Sequence, residues 1–151
     1  MTRMVSRAVS RDETRAVLTG VLFIIDGASV SMVATDSYRL AIAEKLLESP
    51  AGENVEVVIP GRALDEVTKI ASSSEEIRIG ISENQVIFEF GETTFVTRRV
   101  EGNFPNYKAL IPKETESVVE IPTEELLAAT KRVSLLALHN TPLKLSVQAE
   151  D

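Results

Sequence analysis

Three short runs between Glu76 and Val100, "EIRIGIS", "QVIFEF" and "TTFVTRRV", alternate apolar and polar residues and are separated by turn pairs at Glu83-Asn84 and Gly91-Glu92. A period of two marks strands with one buried face, and turns this short join antiparallel neighbours. Such a meander needs a second layer to cover its apolar face. The preceding segment, "RALDEVTKIASS", supplies one: Ala63, Leu64, Val67, Ile70 and Ala71 fall on one helical face, with Arg62, Asp65, Glu66 and Lys69 outside it. Antiparallel strands with helices on one side constrain the chain to an α+β fold.

The first third repeats the theme. In "MVSRAVSRDETR", Met4, Val5, Ala8 and Val9 share a helical face, while Arg3, Arg7 and Arg11 recur every four residues opposite them. On pattern alone that basic stripe is an ordinary solvated helix face. "AVLTGVLFII" reads as a strand, "DGAS" as a turn on Asp26 and Gly27, and "VSMVA" as the returning strand of a hairpin. "RLAIAEKLL" fits a strand or a short helix and leans towards strand, and "NVEVVIP" is a strand that Pro60-Gly61 ends.

Beyond "EGNFPNYKALIPKETES" the texture changes. Pro105 and Pro112 keep the backbone extended, and residues 113–117 read as a linker. "VVEI" is expected as a strand and Thr123 as a helix N-cap, with Glu124 and Glu125 at the positive end of the dipole. "LLAATKRVSLLAL" forms the helix and "PLKLSV" a further strand. Two strands and one helix do not bury both faces, so residues 118–151 read as the opening of a second, incomplete domain. A helix followed by a strand near Met4 to Ile24 and again near Thr123 to Val147 hints at tandem copies of one unit.

Composition narrows the function. The chain has 151 residues, is 44% hydrophobic and 26% charged, and so sits among globular proteins with a self-sufficient core. Without cysteine it has neither disulfides nor thiolate metal sites. No apolar run is long enough for a membrane span and no leader is visible, so a cytoplasmic protein is the expectation. A net charge of −7 and a pI of about 4.9 oppose tight phosphate-backbone binding unless positive charge is gathered locally.

Catalytic patterns are missing. The single histidine, His139, stands at the end of the last expected helix with no nucleophile motif. Glu124-Glu125, Asp65-Glu66 and Glu75-Glu76 are sequence neighbours that point apart, and no metal-ligand spacing, GxGxxG or Walker loop occurs. No cofactor is expected. The residues describe a binding or scaffold domain. An α+β enzyme using Asp12, Glu13 and Asp36 is the competing class, and Asp36 substitution separates the two.

The loop "ATDSYRLA" packs Thr35, Asp36, Ser37, Tyr38 and Arg39 between apolar neighbours. Asp36 is placed to accept backbone N–H groups and close the turn, and Arg39 to pair with a carboxylate.

The order "TRAVLTGVLF", "VATDSYRLA", "VVIPGRALDEVTKI", "VEGNFPNYKALIP" and "LLAATKRVSLLA" closely resembles the bacterial sliding clamp family, the beta subunit of DNA polymerase III. The likeness covers nearly the whole chain. It implies a middle clamp domain over residues 1–112, lacking its N-terminal strand and part of its first helix, a linker at 113–117, and the beginning of a third domain at 118–151. Clamps of this family are head-to-tail dimeric rings of a DNA-clamp fold, built from tandem repeated domains with antiparallel sheets outside and helices inside. They encircle double-stranded DNA without reading its sequence, tether DNA polymerase III subunits, the clamp loader and other proteins carrying a clamp-binding motif, and catalyse nothing.

The resemblance assigns residues. It places Leu18, Thr35, Ser37, Tyr38, Arg39, Leu40, Pro105 and Leu110 around the pocket for the partner peptide, with an apolar slot from the leucines and Pro105 and a polar rim from Thr35, Tyr38 and Arg39. Arg3, Arg7 and Arg11 on an inner helix from Met4 to Asp12, and Arg62 and Lys69 on one from Arg62 to Ser72, are the DNA-facing candidates. Arg15, at the rim, carries less weight. Ser37 stands where the family commonly has glycine or a small residue, Tyr38 where it has histidine or an aromatic, and Ala109 where many relatives carry arginine. The family's other pocket wall comes from the end of the third domain, so the chain alone is expected not to close a ring. A stand-alone peptide-binding module reusing the fold is the alternative.

Overall fold

The computed structural model describes residues 1–137 and 142–147. His139 and Asn140 lie outside the described residues. The chain divides into two compact units, Met1–Leu110 and Ile111–Asp151.

In the first unit, strands β1 (Gly20–Asp26), β2 (Ser29–Thr35), β3 (Leu40–Leu46) and β4 (Val55–Pro60) form an antiparallel sheet in the order β3-β2-β1-β4. The meander gives a second antiparallel sheet, β5 (Arg78–Ile81), β6 (Gln85–Phe90) and β7 (Thr93–Arg98), in chain order. Helices α1 (Thr2–Val5) and α2 (Gly61–Ile70) complete the unit. "RLAIAEKLL" is a strand, as its pattern leans.

Register decides which side chains meet. Val21, Phe23, Met32, Ala34, Ala43, Val57 and Ile59 point to one face of the first sheet, where they pack with Val5 and Ala8, with Leu64 and Val67 of α2, and with Val86, Phe88 and Phe90 of the second sheet. The other face carries Leu22, Val33, Leu40, Ile42 and Val58, covered by Val17, Phe104 and Tyr107. Both faces of this sheet are therefore occupied: helices and the second sheet cover one, and the segment after β7 covers the other.

The N-terminal helix is shorter than its periodicity predicts. It passes into a 3-10 turn at Ser6–Ala8, and Val9 is extended. Ser10 explains the stop: it is buried, its N–H donates to the Leu18 carbonyl at 2.8 Å, and its hydroxyl accepts from Asp12 N–H at 3.1 Å. A serine that captures nearby backbone groups competes with helix continuation. The tighter turn also changes the phase, so Val5 and Ala8, three apart, share the buried side while Met4 is 69% exposed. Arg11 therefore lies beyond the helix.

Residues 16–19, expected to open β1, belong instead to a 3-10 segment, Glu13–Thr19, that Asp12 caps through Thr14 N–H. Gly27 takes a positive φ of 57° in the β1–β2 turn. Ile70, expected on the buried face of α2, is half-exposed at the helix end.

In the second unit α3 spans Thr123–Ser134, with acidic residues in its first turn and Lys131 and Arg132 in its last, as the helix dipole favours. Pro122, not Thr123, holds the N-cap position, and its carbonyl accepts from Glu125 and Leu126 N–H. Val118–Ile121 and Pro142–Val147, expected as strands, form none among the described residues. A strand exists through its ladder partner, and neither segment has one there.

Candidate peptide surface and basic face

The β2–β3 connection is fixed by its own side chains. Thr35 and Leu40 are paired across the hairpin and lie on the sheet face that carries Val33 and Ile42. The Thr35 side chain, buried, donates to Arg39 O at 2.8 Å and accepts from Ser37 N–H at 3.1 Å. Its hydroxyl is thus committed within the loop rather than to a polar rim. Asp36 Oδ1 accepts from Tyr38 N–H and Arg39 N–H, each at 3.0 Å, and Asp36 Oδ2 meets Arg39 Nε at 2.9 Å. Burial opposes ionisation of Asp36, but those two N–H groups and the guanidinium outweigh it and hold the carboxyl below its ordinary value. Ser37 sits at φ 77°, in the left-handed region that costs a side-chain-bearing residue about 1–2 kcal/mol.

Arg15, given little weight from sequence, ties this loop to the 3-10 segment. Its Nε donates to Asp12 Oδ2 at 3.1 Å, its Nη1 to Ser37 Oγ at 2.9 Å, and its Nη2 to the Asp36 carbonyl at 3.5 Å. Asp12 is held below the usual carboxylate range chiefly by the Thr14 hydroxyl, with Thr14 N–H and Arg15 adding to it. The three-residue spacing of Asp12 and Arg15 is the signal that marks this pair. Its reach to Ser37 spans 22 residues and has no local signature.

The expected slot residues differ in exposure. Leu18 is buried and Leu40 half-buried, whereas Tyr38 is 96% exposed and Arg39, Pro105 and Leu110 are exposed. Pro105 and Leu110 belong to a segment that Phe104 and Tyr107 anchor to the sheet face carrying Leu40, with a 3-10 turn at Tyr107–Leu110. Tyr107 N–H donates to the Pro105 carbonyl at 2.7 Å. Phe104 and Tyr107 were not singled out from sequence; aromatics flanking a proline in an otherwise polar segment are the available signal.

The basic candidates lie in the helical layer over the opposite face. Arg3, Arg7, Arg62 and Lys69 are exposed, as is Arg11 after the helix. Arg62 approaches Glu13 at 3.7 Å between two highly exposed groups. Lys69 donates to Glu66 at 2.7 Å, which raises its pKa from the ordinary lysine value.

Residues 1–106 match the family described as DNA polymerase III beta subunit, central domain. The chain belongs to that family. It is 39% identical over 144 residues to the Beta sliding clamp of Bacillus subtilis and 44% identical over 142 residues to that of Staphylococcus aureus. The alignments cover 93% and 92% of this chain but 38% and 37% of those clamps. Among solved structures, the Bacillus subtilis DNA polymerase sliding clamp superposes with a TM-score of 0.86 at 38% identity, covering 93% of this chain and 37% of that one. A Pseudomonas aeruginosa clamp bound to griselimycin gives 0.81 at 25%, covering 89% and 37%. The clamp fold expected from the motifs is therefore the fold of this chain, which spans under two-fifths of the relatives it matches.

Proposed function

We propose that this chain supplies the central-domain part of a processivity factor for DNA replication, one that acts in the bacterial cytoplasm, encircles double-stranded DNA as a ring and tethers DNA polymerase III subunits, the clamp loader and other proteins carrying a clamp-binding motif. The role is mechanical and non-catalytic, and the ring is a homodimer of the longer clamp. What supports this reading is family membership over residues 1–106, combined with a self-braced loop at residues 35–40 on the sheet face opposite the basic helices.

Each face has its own task. Leu18, Leu40, Pro105 and Leu110 offer apolar surface to a peptide's leucine and phenylalanine anchors, each worth roughly 1.5–3 kcal/mol when fully buried. Ser37, Tyr38 and Arg39 orient the peptide, with Thr35 holding their loop from within. Because Asp36 and Arg15 set the loop before a ligand arrives, little ordering entropy is lost on binding. On the helical face, Arg3, Arg7, Arg11, Arg62 and Lys69 meet phosphates weakly. Few and exposed contacts let the duplex move through, since affinity climbs steeply with the number of phosphates neutralised.

The test is an amide NMR titration of the labelled chain with a peptide ending in leucine and phenylalanine. Shifts confined to Leu18, residues 35–40 and Leu110 are expected, even at an affinity near 1 mM, about −4 kcal/mol. A folded spectrum that no such peptide perturbs, repeated without shifts at these residues in a chain extended through the third domain, would refute the assignment of this surface.

A further inference from the structure

The turn between β1 and β2 holds the one bond in the chain where aspartate or asparagine precedes glycine, Asp26–Gly27. Asp26 closes β1 opposite Ser29, and Gly27 takes the positive φ of the turn. Asp26 is exposed, and among the described residues its carboxyl has no hydrogen-bond or ion-pair partner. The other aspartates of this unit differ. Asp12 and Asp36 commit their carboxylates to nearby amides and to Arg15 and Arg39, and Asp65 lies inside α2. Glu13, Ser37 and Glu66 follow them, each with a side chain beside its own N–H, whereas no Cβ crowds the Gly27 nitrogen.

The β3–β4 connection clamps this turn. Leu47 N–H donates to the Ala28 carbonyl at 2.7 Å, and Ala51 N–H to the Gly27 carbonyl at 2.9 Å. Gly27 N–H itself donates to Asn54 Oδ1 at 3.1 Å. Strand register puts Asn54 in reach, since it precedes Val55, which pairs with Ile25.

We infer that Asp26–Gly27 is the site at which this chain forms isoaspartate, and that Asn54 restrains the reaction by holding the attacking nitrogen. In the first step the Gly27 nitrogen bonds to the side-chain carboxyl carbon of Asp26. The amide proton and the carboxyl hydroxyl leave as water, which closes a succinimide ring. Water then adds to a ring carbonyl, and cleavage between the nitrogen and the main-chain carbonyl carbon leaves the backbone running through the former side chain. Water is the only co-reactant, and the product has the mass of the starting chain. While Gly27 N–H is bonded to Asn54 the nitrogen keeps its proton and its orientation, so attack requires the turn to open locally. The product lengthens the backbone by one carbon inside a two-residue hairpin turn, which breaks the pairing of Asp26 with Ser29. It also presents a free main-chain carboxylate, the substrate class of isoaspartyl carboxyl methyltransferases.

The test is to age the chain at neutral pH and locate isoaspartate in the tryptic peptide 16–39 by electron-transfer fragmentation, with methylation by an isoaspartyl carboxyl methyltransferase as an independent count. That peptide also carries Asp36, which reports general unfolding. Isoaspartate is expected at Asp26 and not at Asp36. Asn54→Ala should raise its rate about threefold to tenfold, and Gly27 amide exchange by the same factor, because one hydrogen bond no longer opposes opening. Asn84→Ala, in the β5–β6 turn, should leave both unchanged. In the unmodified chain, unfolding in urea should accelerate formation at Asp26 at least about tenfold, a comparison that needs no variant to fold. Isoaspartate accumulating first at another residue, an Asn54→Ala rate equal to the parent's, or equal rates in the folded and unfolded parent would each overturn the inference.

Discussion

Replacing Asp36 with alanine tests the idea that the β2–β3 loop is set by one carboxylate. Asp36 accepts from two backbone N–H groups and pairs with Arg39, and its side chain is only 16% exposed. In the variant the Tyr38 and Arg39 amides turn to water, so each lost hydrogen bond costs about 0.5–1 kcal/mol rather than the full value for a charged acceptor. The ion pair adds less than about 1 kcal/mol, because the Arg39 side chain is 66% exposed. The sum is about 1–3 kcal/mol of stability. Asp36→Asn keeps one acceptor oxygen and should lose roughly half as much. Urea unfolding followed by circular dichroism measures both, with an unchanged slope showing that the unfolded state is not the source. Hydrogen exchange should show faster opening at Tyr38 and Arg39. If Asp36→Ala unfolds within about 0.5 kcal/mol of the parent, as an ordinary surface substitution does, and those amides stay protected, the loop is held by something else.

Tyr38→Ala, at a side chain almost fully in solvent, should change stability by less than about 0.5 kcal/mol and weaken the peptide titration severalfold, so equal binding would remove Tyr38 from the recognition surface. Tyr107→Ala should cost about 2–4 kcal/mol in urea unfolding and shift the amides of residues 104–110, because the ring anchors that segment to the sheet; a loss below about 1 kcal/mol contradicts the anchor. In Gly20→Ala the new methyl group would collide with the Val58 side chain and approach the Ile59 carbonyl at 3.1 Å, for an expected loss of about 1–3 kcal/mol by thermal unfolding. Folded-state pKa values of Asp12 and Asp36 lie below their unfolded ones, so their stabilisation is present above the unfolded value near pH 4 and drains away as pH falls through the folded values. Acid titration of stability should therefore be shallower in Asp36→Asn than in the parent, and superimposable curves would refute the linkage.

Much of this was legible in the residues taken singly or in short runs. Alternation in "QVIFEF" and the face made by Ala63, Leu64 and Val67 depend on side-chain period, which the chain carries wherever it goes, and both elements appear in the structure. The Asp36 turn is equally local, since a carboxylate reaches amides two and three residues ahead without help from the fold. Motif order identified the family for the same reason: it is a property of the string.

Tertiary structure decided the rest. The helical run, α1 and the 3-10 turn after it, ended at Ala8 because Ser10 N–H found the Leu18 carbonyl, a contact no local pattern encodes. Arg15 became the brace of the loop because folding brought Ser37 to its guanidinium, and Phe104 and Tyr107 became the cover of a sheet face that only the strand register creates. Val118–Ile121 kept the β-branched residues of a strand without becoming one, since a strand is a relation between two segments and its partner is not written in its own residues. Periodicity belongs to the sequence; pairing, exposure and the meeting of distant side chains belong to the packed chain, where burial and long-range hydrogen bonds outweigh local preference.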